Sequence, residues 1–128
     1  MTVDLWMLFW AVVLAFAQVL VATVGAMLQA GLPTLAGNRE NMPELTGWVA
    51  RAGRAHRNML ESLPLFAALI LAAHVSQTAS PQTALGAQLF LYGRLAYAAV
   101  YLAGIPWLRT LVWAVSVAGL VIIAAAFL

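Results

Sequence analysis

A chain of 128 residues, 65% of them hydrophobic and 8% charged, with a mean hydropathy of +0.96, lies outside the composition of soluble domains and indicates a protein that sits in lipid. Its formal net charge of +2 comes from six basic residues, all arginine, against Asp4, Glu40, Glu44 and Glu61, a balance too small to suggest a nucleic-acid partner. Cysteine is absent, which excludes disulfides, thiolate metal sites and a cysteine nucleophile, so any thiol chemistry must draw its sulfur from a ligand.

Leu5 to Leu28 is interrupted only by Gln18, Thr23 and Gly25. At about 1.5 Å per residue it crosses a hydrocarbon core of roughly 30 Å with some tilt. It is read as a retained first transmembrane helix rather than a cleaved leader, because Asp4 precedes it and the run is long. Gly31-Leu32-Pro33 ends that helix, and the polar stretch through Gly37, Asn38, Arg39, Glu40, Pro43 and Gly47 is a loop. A second helix starts near Glu44 or later and enters the apolar run Leu63 to Val75. Gln77 to Gln82 is an uncharged turn in which Ser80 caps, and Pro81 opens, a third helix reaching about Leu102. Gly104-Ile105-Pro106 repeats the punctuation, and Trp107 to Leu128 forms a fourth span. The expectation is an all-α, integral membrane four-helix bundle occupying residues 1–128 as one domain, without internal repeats.

Four spans put both termini on one side of the bilayer. The loop before the second helix and the start of that helix hold Arg39, Arg51, Arg54 and Arg57, the third loop leads to Arg109, and the second loop carries no charge. The positive-inside bias then places the charged loops in the cytoplasm and the termini opposite. Trp6, Trp10, Trp48, Trp107 and Trp113 lie toward span ends, as interfacial aromatics do.

Ionisable side chains at membrane depth are costly and are read by default as a site. On the second helix Arg54, Asn58 and Glu61 share one face, and Arg57 stands four residues before Glu61 as a potential ion pair. Pro64 leaves the carbonyl of Leu60 without its usual donor, so a kink is expected near Glu61. On the third helix Arg94, Tyr97 and Tyr101 form a second stripe, and Arg109 and Thr110 fall in the first turn of the fourth helix, where free amides and the helix dipole favour a negative group. All three stripes come near the same membrane side.

Four guanidinium groups, from Arg54, Arg57, Arg94 and Arg109, would thus face one carboxylate, Glu61, an imbalance that calls for water or an anion. Arginine, with its forked donors, suits carboxylates and phosphates, although a coding bias against lysine explains the all-arginine inventory equally well. Two readings stay open: the charges hold a ligand, or Arg94, Asn58 and Glu61 glue the helices together as polar residues do in bilayers. His56 reads as a loop or interfacial residue and His74 lies two turns or more away, so no metal site is expected. The phenols of Tyr97 and Tyr101 need partners in lipid, and arginine accepts no hydrogen bond.

The run Arg54-Ala55-His56-Arg57-Asn58-Met59-Leu60-Glu61-Ser62, followed by Gly93-Arg94-Leu95-Ala96-Tyr97, Tyr101 and Arg109, resembles the MAPEG family, the membrane-associated proteins in eicosanoid and glutathione metabolism, in a bacterial-type form. The resemblance covers nearly the whole chain, and its most specific part runs from Arg51 to Glu61. It implies a left-handed four-helix bundle assembled as a homotrimer in a bacterial inner membrane, with glutathione as cosubstrate between neighbouring subunits toward the cytoplasm. By the same resemblance Arg57, Asn58 and Glu61 match positions that hold the glutathione peptide, with Arg54 beside them. Arg94, Tyr97 and Tyr101 match third-helix contacts, and Arg109 with Thr110 match the place where the thiol becomes a thiolate. Tyr97 stands where the prostaglandin synthase branch has histidine, Trp113 stands where it has tyrosine, and Met27 to Pro33 lacks its arginine. Prostaglandin synthesis is therefore not expected.

The function expected is a glutathione transferase or peroxidase acting on lipophilic electrophiles that enter from the bilayer. Arg109, Tyr101 and Thr110 would stabilise the thiolate, and Arg54, Arg57, Asn58, Glu61, Arg94 and Tyr97 would bind the tripeptide. The alternatives are a non-enzymatic membrane protein with structural charges and a small exporter that uses Glu61 to couple protons.

Overall fold

The computed structural model describes residues 1–128 as five helices without strands: α1 (Val3–Ala30), α2 (Leu32–Ala36), α3 (Gly47–Val75), α4 (Pro81–Ala103) and α5 (Pro106–Ala125). The expected count of four is corrected by α2, a single short turn of helix in what reads as loop. Gly31, at φ 86°, stops α1 by leaving the right-handed helical region, and Pro33 at the start of α2 restarts it with its fixed φ. The ends of the other four helices fall within a few residues of the sequence reading.

Three helices, α1, α3 and α5, are long and apolar enough to cross a membrane. Helix α4 is of similar length but does not meet that hydropathy, because it carries Gln82, Thr83, Gln88 and Arg94. Its start is the one foreseen: the Ser80 hydroxyl accepts the Thr83 amide and the Thr83 hydroxyl accepts the Ser80 amide, a reciprocal cap, with Pro81 following. Helix α3 continues through Pro64, and the Ser62 hydroxyl donates to the carbonyls of Asn58 and Met59 one turn before it.

The core is small and sits toward the half of the bundle that holds the end of α3 and the start of α4. Phe66 of α3 stacks on Phe90 of α4 with centroids 4.1 Å apart, surrounded by Ala11, Met59, Ile70, Ala87 and Ile123, all fully buried. Helices α4 and α5 pack closest, along a seam of Gly86, Gly93, Ser116 and Gly119. A Cβ on Gly119 would fall 2.5 Å from the Gly86 carbonyl oxygen, so the backbones touch there and no side chain fits. That seam fixes α5 against α4 and so places Arg109, Thr110 and Trp113 beside Tyr97 and Tyr101.

Candidate functional site

The three cationic stripes expected from the sequence do converge, at the end of the bundle where α3 begins and α4 ends. Asn58 of α3, Tyr97 of α4 and Arg109, Thr110 and Trp113 of α5 line one cavity of about 200 Å³. Tyr97 and Tyr101, one turn apart on α4, lie with ring centroids 5.4 Å apart. Three guanidinium groups rest against these two rings: Arg94 Cζ is 4.4 Å from the Tyr97 centroid, and Arg109 and Arg54 are 4.7 Å and 5.9 Å from that of Tyr101. The Arg54 Nε also donates to the Tyr101 hydroxyl oxygen at 3.1 Å. Since the arginine supplies the hydrogen, the phenol's own O–H remains free to donate elsewhere.

Arg94 is the extreme member. It is 1% exposed, and none of its three guanidinium nitrogens has a hydrogen-bond partner. Taking an ion out of water costs several kcal/mol, whereas a desolvated cation–π contact returns about 2 kcal/mol, so the Tyr97 ring offsets only part of the penalty. A buried cation in that position gains stability when an anion arrives nearby.

Two residues expected in the site, Arg57 and Glu61, do not line its cavity, although Glu61 lies within electrostatic reach of Arg94 and Tyr97. Arg57 and Glu61 are exposed and form no ion pair with each other, and the one ion pair in the structure lies elsewhere, between His74 and Asp4. An exposed i, i+4 pair gains only a few tenths of a kcal/mol, which does not outweigh the entropy of fixing two long side chains. Arg109 and Thr110 themselves use one donor each in the first turn of α5. The Arg109 N–H already donates to the Ile105 carbonyl at 3.1 Å, and the Thr110 hydroxyl turns back to the Pro106 carbonyl at 3.4 Å. The amides of Trp107 and Leu108, nearer the start of α5, have no backbone acceptor.

Two groups carry more than the sequence reading assigned. Arg51 donates from Nε to the Leu102 carbonyl at 3.0 Å, and its spacing of three from Arg54 is the signal that places both on one face of α3. At the far end of the bundle, Asp4 is 2% exposed and accepts from His74 Nε2 at 2.9 Å, the Thr83 hydroxyl at 3.2 Å, the Leu5 amide at 3.1 Å and the Thr2 hydroxyl. No sequence spacing links these residues. The only hint is that Asp4 sits in a first helical turn and His74 in a last one, the places the helix dipole favours for each sign.

Fold and site together define a multi-pass helical membrane protein with a cationic, tyrosine-lined cavity near one end. The chain belongs to the MAPEG family, which matches residues 3–128, essentially its full length. It is thus an integral membrane protein of eicosanoid and glutathione metabolism. No curated protein and no solved structure matches it.

Proposed function

We propose that this protein binds glutathione in the Asn58–Tyr97–Arg109 cavity and transfers its sulfur to lipophilic electrophiles, or reduces lipophilic peroxides with it. The observation that carries the reading is the cluster of Arg54, Arg94 and Arg109 on two tyrosine rings with no carboxylate in ion-pairing range. A thiol with an ordinary pKa near 8.5 becomes largely thiolate beside such cations. Arg109 supplies the nearest positive charge to the cavity, and the Tyr101 hydroxyl, polarised by Arg54, donates to the sulfur. Thr110 lines the same wall and offers its hydroxyl if it leaves the Pro106 carbonyl. Asn58 pairs with a peptide amide, Tyr97 shields Arg94 from lipid, and Arg94 holds the cavity positive.

A cavity of about 200 Å³ takes a group little larger than benzene, for which about 150 Å³ suffices. A tripeptide therefore extends beyond it. Assembly as a homotrimer gives the remainder a place, with Arg57 and Glu61, exposed on α3, meeting the peptide or a neighbouring protomer. Helix α4 completes a single domain of four membrane spans, its 23 residues covering roughly 34 Å at 1.5 Å each and its Thr83 and Arg94 turned inward. The termini lie on one side of a bacterial inner membrane and the arginine-rich loops on the cytoplasmic side, where glutathione is present.

The test uses purified full-length protein in detergent. Glutathione at millimolar concentration should raise the melting temperature, and conjugation of 1-chloro-2,4-dinitrobenzene or reduction of cumene hydroperoxide should follow. Both activities should be lost in Arg109→Ala and Tyr101→Phe. A stabilisation by glutathione without turnover would leave a binding protein, and indifference of folded protein to glutathione would reject the site altogether.

A further inference from the structure

The turn between α4 and α5 joins the two halves of the candidate site, since Tyr101 stands just before it and Arg109 just after. Within it, the Gly104 amide donates to the carbonyls of Val100 and Tyr101, both at 3.0 Å, and the Ile105 amide donates to Val100 at 3.3 Å. The next carbonyl, Leu102, accepts instead from Arg51 Nε at 3.0 Å, across 51 positions of sequence. Such a bond satisfies one of the acceptors that every helix end leaves free. Gly104 adopts φ 77° and presents its bare face to the same side chain: a Cβ built there would lie 3.5, 3.6 and 3.7 Å from Nε, Cζ and Cδ of Arg51. One turn further along α3, Arg54 donates to the Tyr101 hydroxyl. Two arginines on one helix face therefore grip the last turn of α4, one by its backbone and one by its phenol.

We infer that Arg51 is a positioning residue: by clamping the Leu102–Gly104 turn it sets Arg109 at its 4.7 Å stacking distance from the Tyr101 ring, and with it the thiolate-stabilising strength of the cavity. The inference rests on the thiol reading of the site given above. Arg51 itself does not line the cavity. Its influence reaches the sulfur only through the position of Arg109 and the direction of the Tyr101 O–H. Cation–π attraction and hydrogen bonding both weaken steeply with distance and angle, so a loosened turn reduces both contributions together.

The experiment follows the ultraviolet thiolate band of bound glutathione against pH, in full-length wild type, Arg51→Gln, Arg51→Lys and Gly104→Ala. In Arg51→Gln the midpoint should rise by about one pH unit, a tenfold loss of thiolate at any pH below it. The glutathione dissociation constant, measured well below that midpoint where the bound ligand is the neutral thiol, should change by less than about threefold, because the groups that hold the peptide stay in place. Lysine should restore part of the shift, since an ammonium offers a point donor to the Leu102 carbonyl but no flat surface for Gly104. Gly104→Ala, which pushes on the same contact from the other side, should move the midpoint in the same direction. If Arg51→Gln proves unstable, the Lys and Ala variants decide alone. A merely structural clamp would lower the melting temperature of the variants and leave the thiolate midpoint at the wild-type value, which would overturn the inference. A wild type showing no thiolate band at saturating glutathione would instead remove the thiol reading, and this inference with it.

Discussion

The bundle holds two polar clusters, and they solve the problem of charge in lipid in opposite ways. At one end Asp4 is closed off by His74, Thr83, Thr2 and the Leu5 amide, every interaction supplied by the chain itself. At the other end, roughly 27 Å further along α4 as measured from Thr83 to Tyr101 at 1.5 Å per residue, Arg54, Arg94 and Arg109 rest on tyrosine rings with no carboxylate within ion-pairing distance, Glu61 acting on Arg94 only from further off. The first cluster ties the start of α1 to the end of α3 and the start of α4, and it has nothing left to offer a ligand. The second is incomplete as folded. Neutralised charge reads as architecture, and unneutralised charge as a site held open.

That contrast separates what each residue should do when changed. The largest effect is expected from Arg109→Met, which removes the cation nearest the cavity while keeping its bulk. Removing one preorganised charge donor typically costs about 10²–10³ in rate, so kcat/KM for conjugation should fall by about a hundredfold. The melting temperature without ligand should stay within a degree or two of wild type, since an unpaired, half-exposed arginine contributes little to folding. If the melting temperature dropped sharply instead, Arg109 would belong with the architectural charges and the contrast would be broken. Next in size is Asp4→Ala. Breaking a buried pair costs about 3–5 kcal/mol, and here about 2–3 kcal/mol is expected because His74 keeps partial access to solvent. Chemical denaturation measures that loss. Glutathione affinity of the folded fraction should not move.

Arg94→Met is the sharpest discriminator, because its two readouts should go in opposite directions. Replacing an unsatisfied buried ion with an apolar side chain of similar length should raise stability by about 1–2 kcal/mol. Glutathione should bind about tenfold more weakly, since the field that favours the anion is gone. A variant that lost stability would show that Arg94 glues the helices, as the competing sequence reading has it. The opposite signs are the signature of a residue kept for function at a cost to the fold.

How much of this was legible beforehand follows from sequence distance. Helix ends announce themselves locally: Ser80 and Pro81 at the start of α4, Gly104 at its end, Gly31 after α1. The convergence of Asn58, Tyr97 and Arg109 was readable because helical periodicity fixes faces, and antiparallel neighbours bring those faces to one end. The Asp4–His74 pair was not, because a lone carboxylate and a lone imidazole 70 positions apart carry no periodicity, and only packing decides that they meet. The Arg57–Glu61 pair failed for the converse reason. Adjacency on a helix surface is easily read, but it says nothing of burial, and exposed charges gain too little by pairing. Arg51 lies between these cases: its face was predictable, yet its acceptor is a backbone carbonyl, a group that every residue possesses and no sequence distinguishes.

The smallest predicted effect tests whether the closed cluster is a single unit. The Thr83 hydroxyl donates to Asp4, stands within hydrogen-bonding distance of the Ser80 carbonyl and accepts the Ser80 amide, so it serves the α4 cap and the carboxylate at once. Thr83→Val keeps shape and removes only the hydroxyl, which should cost about 1–2 kcal/mol. If cap and carboxylate are coupled through that one oxygen, the double variant Thr83→Val with Asp4→Ala should lose less than the sum of the two single changes. Strict additivity would mean that the cap stands alone and that Asp4 is held chiefly by His74. In either case the arginine-lined end should keep its glutathione affinity, because nothing in the closed cluster reaches it except the rigid length of α3 and α4.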